Sequence, residues 1–322
     1  MKMKNNLEAF KELIRTSERI AVVSHMNPDG DNLGSLLAAG LSLEKMGKGV
    51  LFVKADIIPE DYRFLPGVER LSPVDETIDM LDLLLVLDSS DPDRLGENRF
   101  LIDKSQKVVN IDHHVSNSEF GDINIVKPEM SSTGEILFEL LLQMDMPIDS
   151  EIASLIYVAM STDTGRFTYQ GVTGKTHETV ARLYGYGIDA YAINNSLYQR
   201  RSLERTKLFI RAVSNIRLYK DNRIGIVRVT KSMLDETGSS MEDTEGIVEF
   251  IRDTDSVEAA CILKEIDDGV VKISLRTKNI VDANKVCSVF HGGGHSRASG
   301  ATVEDTIDNV ESRLLDEINK YL

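Results

Sequence analysis

Asp112, His113 and His114 set one carboxylate and two imidazoles side by side. Carboxylate oxygens and imidazole nitrogens together suit Mn²⁺, with Mg²⁺, Co²⁺ or Fe²⁺ as alternatives. A pair of such ions can share a carboxylate, hold a hydroxide between them and act on phosphate. Three other segments offer the same donor types. His25-Met26-Asn27-Pro28-Asp29-Gly30-Asp31 brings His25, Asp29 and Asp31 into one short turn, shaped by Pro28 and Gly30. Leu83-Leu84-Leu85-Val86-Leu87-Asp88 ends an apolar run on a carboxylate. Such a charge is costly unless a metal, a helix N-terminus or a cation such as Arg94 offsets it. Asp163 stands where an apolar helix breaks down, at the unfavourable end of its dipole. Each signal alone has a plainer structural reading. Together they offer five Asp and three His, and the Cys spacing of a structural zinc site is missing.

The elements that must position these residues follow from hydrophobic pattern. Ile20–His25, Val50–Val53, Leu83–Asp88 and Val108–Asp112 read as buried strands. Helices are expected over about Leu33–Met46, Thr133–Met144, Glu151–Ser161 and Thr176–Tyr184. Strands alternating with helices predict an α/β fold with a doubly wound, mainly parallel sheet. In such a sheet ligands bind outside the strands' C-terminal ends, where Asp88 and Asp112 fall. His113 and His114 would face opposite ways if their strand continued.

The texture changes near residue 190. Tyr198–Lys207 is polar and basic, and reads as a connecting helix or as a solvated helix face. Beyond it, Ile224–Val229 is a strand, and Val257–Ile266 and Val270–Arg276 form a hairpin about Asp267-Asp268-Gly269. A helix over Asp282–Phe290 is capped by Asp282, and a loop runs through Gly292-Gly293-Gly294-His295 to Gly300 before a last helix. This predicts residues 1–190 as a catalytic domain, 191–216 as a linker helix and 217–322 as a smaller α+β domain. The three glycines expose amides that can approach an anion, or form a simple flexible turn.

The chain of 322 residues carries 52 acidic and 37 basic side chains, a net charge of −15. Most of that surface repels a long nucleic acid, which needs many Lys and Arg contacts. A short anion held locally is compatible with it. No apolar run reaches membrane-span length, and no signal-peptide core follows the N-terminus, so a cytoplasmic protein is expected. Cys261 and Cys287 lie on apolar segments and read as reduced core thiols.

The motifs together resemble the DHH phosphoesterase superfamily. The His25/Asp29/Asp31 loop, Leu87-Asp88-Ser89-Ser90, Asp112-His113-His114 and Asp163-Thr164-Gly165 match its four N-terminal motifs in order. The resemblance implies one metal on His25, Asp29 and Asp88, and a second on Asp31, Asp88, His113 and Asp163. It places Asp112 behind them, orienting a ligand imidazole, and His114 on the substrate phosphate. Asp31, Asp88, His113 and His114 would then carry the catalysis, by attack of a metal-bridging hydroxide. The second domain resembles the DHH-associated domain, which implies closure over the cleft and substrate contacts from Arg276, Gly293, Gly294, His295 and Arg297. Relatives often have a fourth glycine where this chain has His291. The compact members with this domain degrade very short oligoribonucleotides and remove the 3′-phosphate of adenosine 3′,5′-bisphosphate (pAp). Cyclic di-AMP or pApA hydrolysis is the alternative within enzymes, and an inactive nucleotide-binding regulator the alternative outside them. The partners implied are short oligoribonucleotides or nucleotide phosphates, and a second copy in a homodimer.

Overall fold

The computed structural model describes residues 2–322, which divide into two compact units with the boundary between Arg200 and Arg201. The first unit runs α1 (Lys2–Thr16), β1 (Arg19–Val23), α2 (Gly30–Lys45), β2 (Gly49–Phe52), β3 (Leu81–Leu87), β4 (Ser105–Asp112), β5 (Ile123–Val126), α3 (Thr133–Gln143), α4 (Ser150–Asp163), α5 (Gly174–Tyr184) and α6 (Ala190–Tyr198). Its five strands are all parallel, in the order β2-β1-β3-β4-β5. β3 is apolar almost throughout because it is covered on both sides. Leu83, Leu85 and Leu87 face a core shared with α1 to α4. Leu84 and Val86 face a second cluster, closed by Leu95 and Leu101 of the 3₁₀ segment Pro92–Ile102. The strand order reverses between β1 and β3, and that switch point opens a crevice at their C-terminal ends.

The second unit runs α7 (Leu203–Val213), β6 (Arg217–Tyr219), β7 (Ile224–Val229), α8 (Lys231–Thr237), α9 (Ile247–Arg252), β8 (Ala259–Asp267), β9 (Val270–Thr277), α10 (Ala283–Ser288), β10 (Gly293–Gly294), β11 (Ala298–Glu304) and α11 (Ile307–Ile318). Its six strands lie in the order β10-β11-β9-β8-β7-β6, with β7 and β8 parallel and the other pairs antiparallel. Helices α10 and α11 cover one side of the sheet, and α7 and α9 cover part of the other. Cys261 and Cys287 are buried free thiols in the first of these cores. Among the described residues no helix is long and apolar enough to cross a membrane.

Two expectations are corrected. Residues 191–216 are two helices, α6 and α7, and the boundary between the units falls between them at Arg200 and Arg201. The break is local: Ser202 caps α7 by accepting the Arg205 amide, which starts a new helix in a stretch that composition alone reads as continuous. The expected loop through Gly300 is largely sheet. Gly293 and Gly294 pair with Gly300 and Ser299, and β11 continues along β9. Without a side chain, Gly292 fits where a Cβ would stand 2.1 Å from the Gly300 carbonyl oxygen. His291 adopts φ 58°, a left-handed conformation that favours glycine.

Candidate metal centre

Three strand ends and two helix ends build the site. His25 follows β1, Asp88 follows β3, and His113 and His114 follow β4. Asp29 caps α2, its carboxylate accepting the Asn32 amide at 3.0 Å, and Asp31 lies in the first turn of that helix. Asp163 is the last residue of α4. Close packing of helix ends makes the convergence possible. A Cβ on Gly30 would lie 2.3 Å from the Thr162 hydroxyl, and one on Gly134 would lie 2.4 Å from the Ala159 Cβ. So α2 and α3 both start against the last turns of α4, and Asp31 meets Asp163 there.

The side chains fall into three groups of metal-ligand compass: His25, Asp29 and Asp88; Asp31, His113 and Asp163; and Asp88, His113 and His114. In each group one donor atom per residue lies within 4.8 Å of the others. His113 Nε2 stands 3.3 Å from Asp163, 3.8 Å from Asp31 and 3.8 Å from Asp88. The expectation that His113 and His114 face opposite ways is corrected. β4 ends at Asp112, strand alternation stops there, and both rings turn toward Asp88 with centroids 4.7 Å apart. Asp88 itself has φ 54°, a left-handed conformation that Asp adopts more readily than most residues and that turns its carboxylate out of the strand direction.

The electrostatics fit a cation. Burial, then the charges of Asp88, Asp163 and Asp29, push Asp31 well above the usual carboxylate range. Asp163 is pushed up to about 6, mainly by burial and against the pull of His113, with Asp88 adding to the rise. The His25 ring gives a sharper test. Its Nδ1 sits 2.8 Å from the Met26 carbonyl, so Nδ1 carries the proton. Nε2 then presents a lone pair to Asp88 at 3.3 Å. A proton or a metal ion must lie between two such donors. Accordingly His25 is raised above its ordinary value: burial opposes the charge, and the Asp88 hydrogen bond and charge outweigh it.

Asp112 behaves differently. It is fully buried, yet its carboxyl is held below the usual range, because hydrogen bonds from His114 and Asn117 outweigh the cost of burial. The imidazole it orients is that of His114, whose Nδ1 lies 2.7 Å from Asp112 Oδ1; toward His113 it accepts only the backbone amide. His114 is raised in turn, first by that hydrogen bond.

Several partners were not visible in the sequence reading. The amides of Thr133 and Gly134 donate to the two oxygens of Asp31 at 2.7 and 2.8 Å. They belong to the first turn of α3, whose amides have no partner within the helix. The Thr133 hydroxyl donates to Asp88 at 3.0 Å, and Ser35 donates to Asp31. The signal was present in Ser132-Thr133-Gly134-Glu135, a capping sequence that marks a helix start. What it did not reveal is that this start faces Asp31, 102 residues away.

The second unit holds the other candidates. Arg276 is half-buried on β9 and pairs with Glu249 at 3.0 Å. Gly293, Gly294 and His295 are exposed. Arg297 donates to the carbonyls of Val281 and Asn279, so here it holds the chain that leads into α10.

Residues 19–160 match the DHH family, N-terminal domain, and residues 224–322 match the DHHA1 domain. A protein of Thermus thermophilus named bifunctional oligoribonuclease and PAP phosphatase NrnA is 30% identical over 94% of this chain and 90% of its own length. The protein of the same name from Bacillus subtilis is 27% identical over 91% of this chain and 92% of its own. A crystal structure of an exopolyphosphatase-related protein from Bacteroides fragilis superposes with a TM-score of 0.93 at 30% identity, covering 99% of this chain and 96% of that one.

Proposed function

This chain belongs to the DHH family, and from that membership we propose that it is a metal-dependent hydrolase of phosphate esters, acting on very short oligoribonucleotides and on pAp. The observation that carries the reading is Asp88. It stands within ligand reach of His25 and Asp29 on one side and of His113 and His114 on the other, itself buried with His25 while Asp29 is exposed and the two other imidazoles are half-buried. The full-length relatives named for oligoribonuclease and PAP phosphatase activity support the substrate class.

One ion would sit on His25, Asp29 and Asp88, and a second on Asp31, Asp88, His113 and Asp163. Divalent ions there, Mn²⁺ being the best match to mixed carboxylate and imidazole donors, would make a water acidic and screen the negative charge of the phosphate. The chain's own groups do the rest. The α3 amides and Ser35 fix the Asp31 carboxylate, and the Thr133 hydroxyl fixes Asp88. Asp112 fixes His114 through Nδ1 and favours its protonated ring, in which Nε2 can donate to a phosphoryl oxygen. The second unit would contribute nucleotide contacts through Arg276, the exposed Gly293 and Gly294 amides and His295.

The test is a substrate panel. Metal-stripped protein is reloaded with Mn²⁺, Mg²⁺, Co²⁺ or Fe²⁺ and offered pAp, two- to five-nucleotide RNA, pApA and cyclic di-AMP. Fastest turnover of short RNA and pAp is expected, with Mn²⁺ the most effective ion. Preference for cyclic di-AMP or pApA would replace the substrate assignment. Binding without turnover under every metal would refute the enzyme.

A further inference from the structure

The second unit carries a charge arrangement that its fold does not need. In the β8–β9 pairing Lys264 stands directly opposite Lys272. Along β9, Lys272, Ser274 and Arg276 alternate with the buried Val271, Ile273 and Leu275. The two lysines and Arg276 therefore share one side of the sheet. Toward β7 that side is covered: Val227, Val229, Ala260 and Ile262 pack against Leu208 of α7 and Ile247 and Ile251 of α9. Toward β11 it is open. Lys272 is exposed, and so is Thr302, its neighbour across the β9–β11 pairing.

Like charges set directly opposite across an antiparallel pair are destabilising. Among the described residues neither lysine takes part in an ion pair, and the nearest polar partner of Lys264 is the Thr244 hydroxyl at 3.5 Å. Glu249, the carboxylate that acts on Lys264, is already engaged by Arg276. Lys264 is held below its ordinary value, first by burial and then by Lys272 and Arg276. In a chain with 15 more acidic than basic side chains, two lysines kept face to face without an ion pair, beside an arginine that takes up the one carboxylate between them, leave room for another source of negative charge.

We propose that Lys264, Lys272 and Arg276 form a strip that holds successive phosphates of a short oligoribonucleotide. From Lys272 to Arg276 is four residues of strand, about 14 Å. That length serves a few nucleotides and offers nothing to a mononucleotide beyond Arg276. The inference rests on the phosphoester reading above and extends it: the lysine pair distinguishes oligonucleotides from pAp.

The experiment uses the full chain and two readouts. Anisotropy follows binding of a fluorescent trinucleotide with phosphorothioate linkages, and initial rates give KM for the trinucleotide and for pAp. Lys272→Gln and Lys264→Met should each weaken trinucleotide binding about three- to ten-fold. Each should flatten the dependence of log K on log salt by about 0.7. KM for pAp should stay unchanged, and so should every value for Lys285→Gln, whose lysine lies on α10 beside Asp282. Lys272 is exposed, so its replacement leaves the core intact. Unchanged trinucleotide binding in both variants would overturn the strip, as would equal losses on trinucleotide and pAp. A wild-type chain that binds the trinucleotide lysine-dependently but hydrolyses nothing would refute the proposed reaction and leave the strip standing.

Discussion

Replacing Asp88 by Asn should stabilise the metal-free protein and abolish its response to metal, two effects of opposite sign. Asp88 adds to the upward push on Asp31 and Asp163. Its carboxylate lies within 4.8 Å of that of Asp29. Two unit charges at that distance repel by about 3.5 kcal/mol at an effective dielectric of 20. Loss of attraction to His25 and His114 offsets part of this, so a net gain of about 1–2 kcal/mol is expected. Asn fits the site. Its side-chain oxygen can keep the Thr133 hydroxyl bond, its amide can donate to His25 Nε2, and it tolerates the left-handed backbone. In EDTA the variant should therefore melt about 3–6 °C above wild type. In Mn²⁺ at about a thousand times its dissociation constant the wild type gains about 4 kcal/mol and the variant little, so the order reverses. Turnover should fall by about 10³-fold or more, the equivalent of about 4 kcal/mol of lost charge stabilisation. Thermal melts in EDTA and in Mn²⁺, with initial rates, provide the measurement. A variant less stable than wild type in EDTA would refute the account of Asp88 as a carboxylate held against repulsion for the sake of a cation.

The pH dependence follows from the same crowding. Asp163 is raised to about 6, so the stability its protonated form lends is present below the unfolded value near 4 and lost as pH rises through 6. Metal-stripped protein should thus melt lower at pH 7 than at pH 5, and saturating Mn²⁺ should remove or invert that trend; a rise from pH 5 to 7 in EDTA would contradict it. Thr133→Val keeps the amide to Asp31 and deletes the hydroxyl to Asp88. About a ten-fold loss in kcat, restored by Thr133→Ser and accompanied by weaker Mn²⁺ binding in a titration, is expected, whereas a purely structural role would lower the melting point and leave metal affinity alone. Gly134→Ala sets a Cβ 2.4 Å from the Ala159 Cβ and should cost about 1–3 kcal/mol by denaturant unfolding, with Mn²⁺ affinity falling as the amide is displaced from Asp31.

Much of this protein was legible in its residues. Apolar runs ending in Asp or His gave the strand ends of the first unit, because a buried strand needs continuous apolar side chains and a charge can survive only where it stops. The hairpin at Asp267-Asp268-Gly269 and the Asp282 cap were equally readable, since turn and cap chemistry are local. Breaks and pairings were not. The interruption between α6 and α7 depends on four residues in a helix-compatible stretch, and the glycine segment becomes sheet only because β11 lies beside it.

The sequence alone determined which donors exist and which strand or helix ends carry them. Only the tertiary structure decided their company: that α3 points its free amides at Asp31, that both imidazoles turn to Asp88, that Asp112 serves His114, and that Lys264 faces Lys272. The physical reason is range. Periodicity, capping and turn chemistry act over a few residues, whereas these contacts join segments up to about a hundred residues apart, and helix packing and strand register set them.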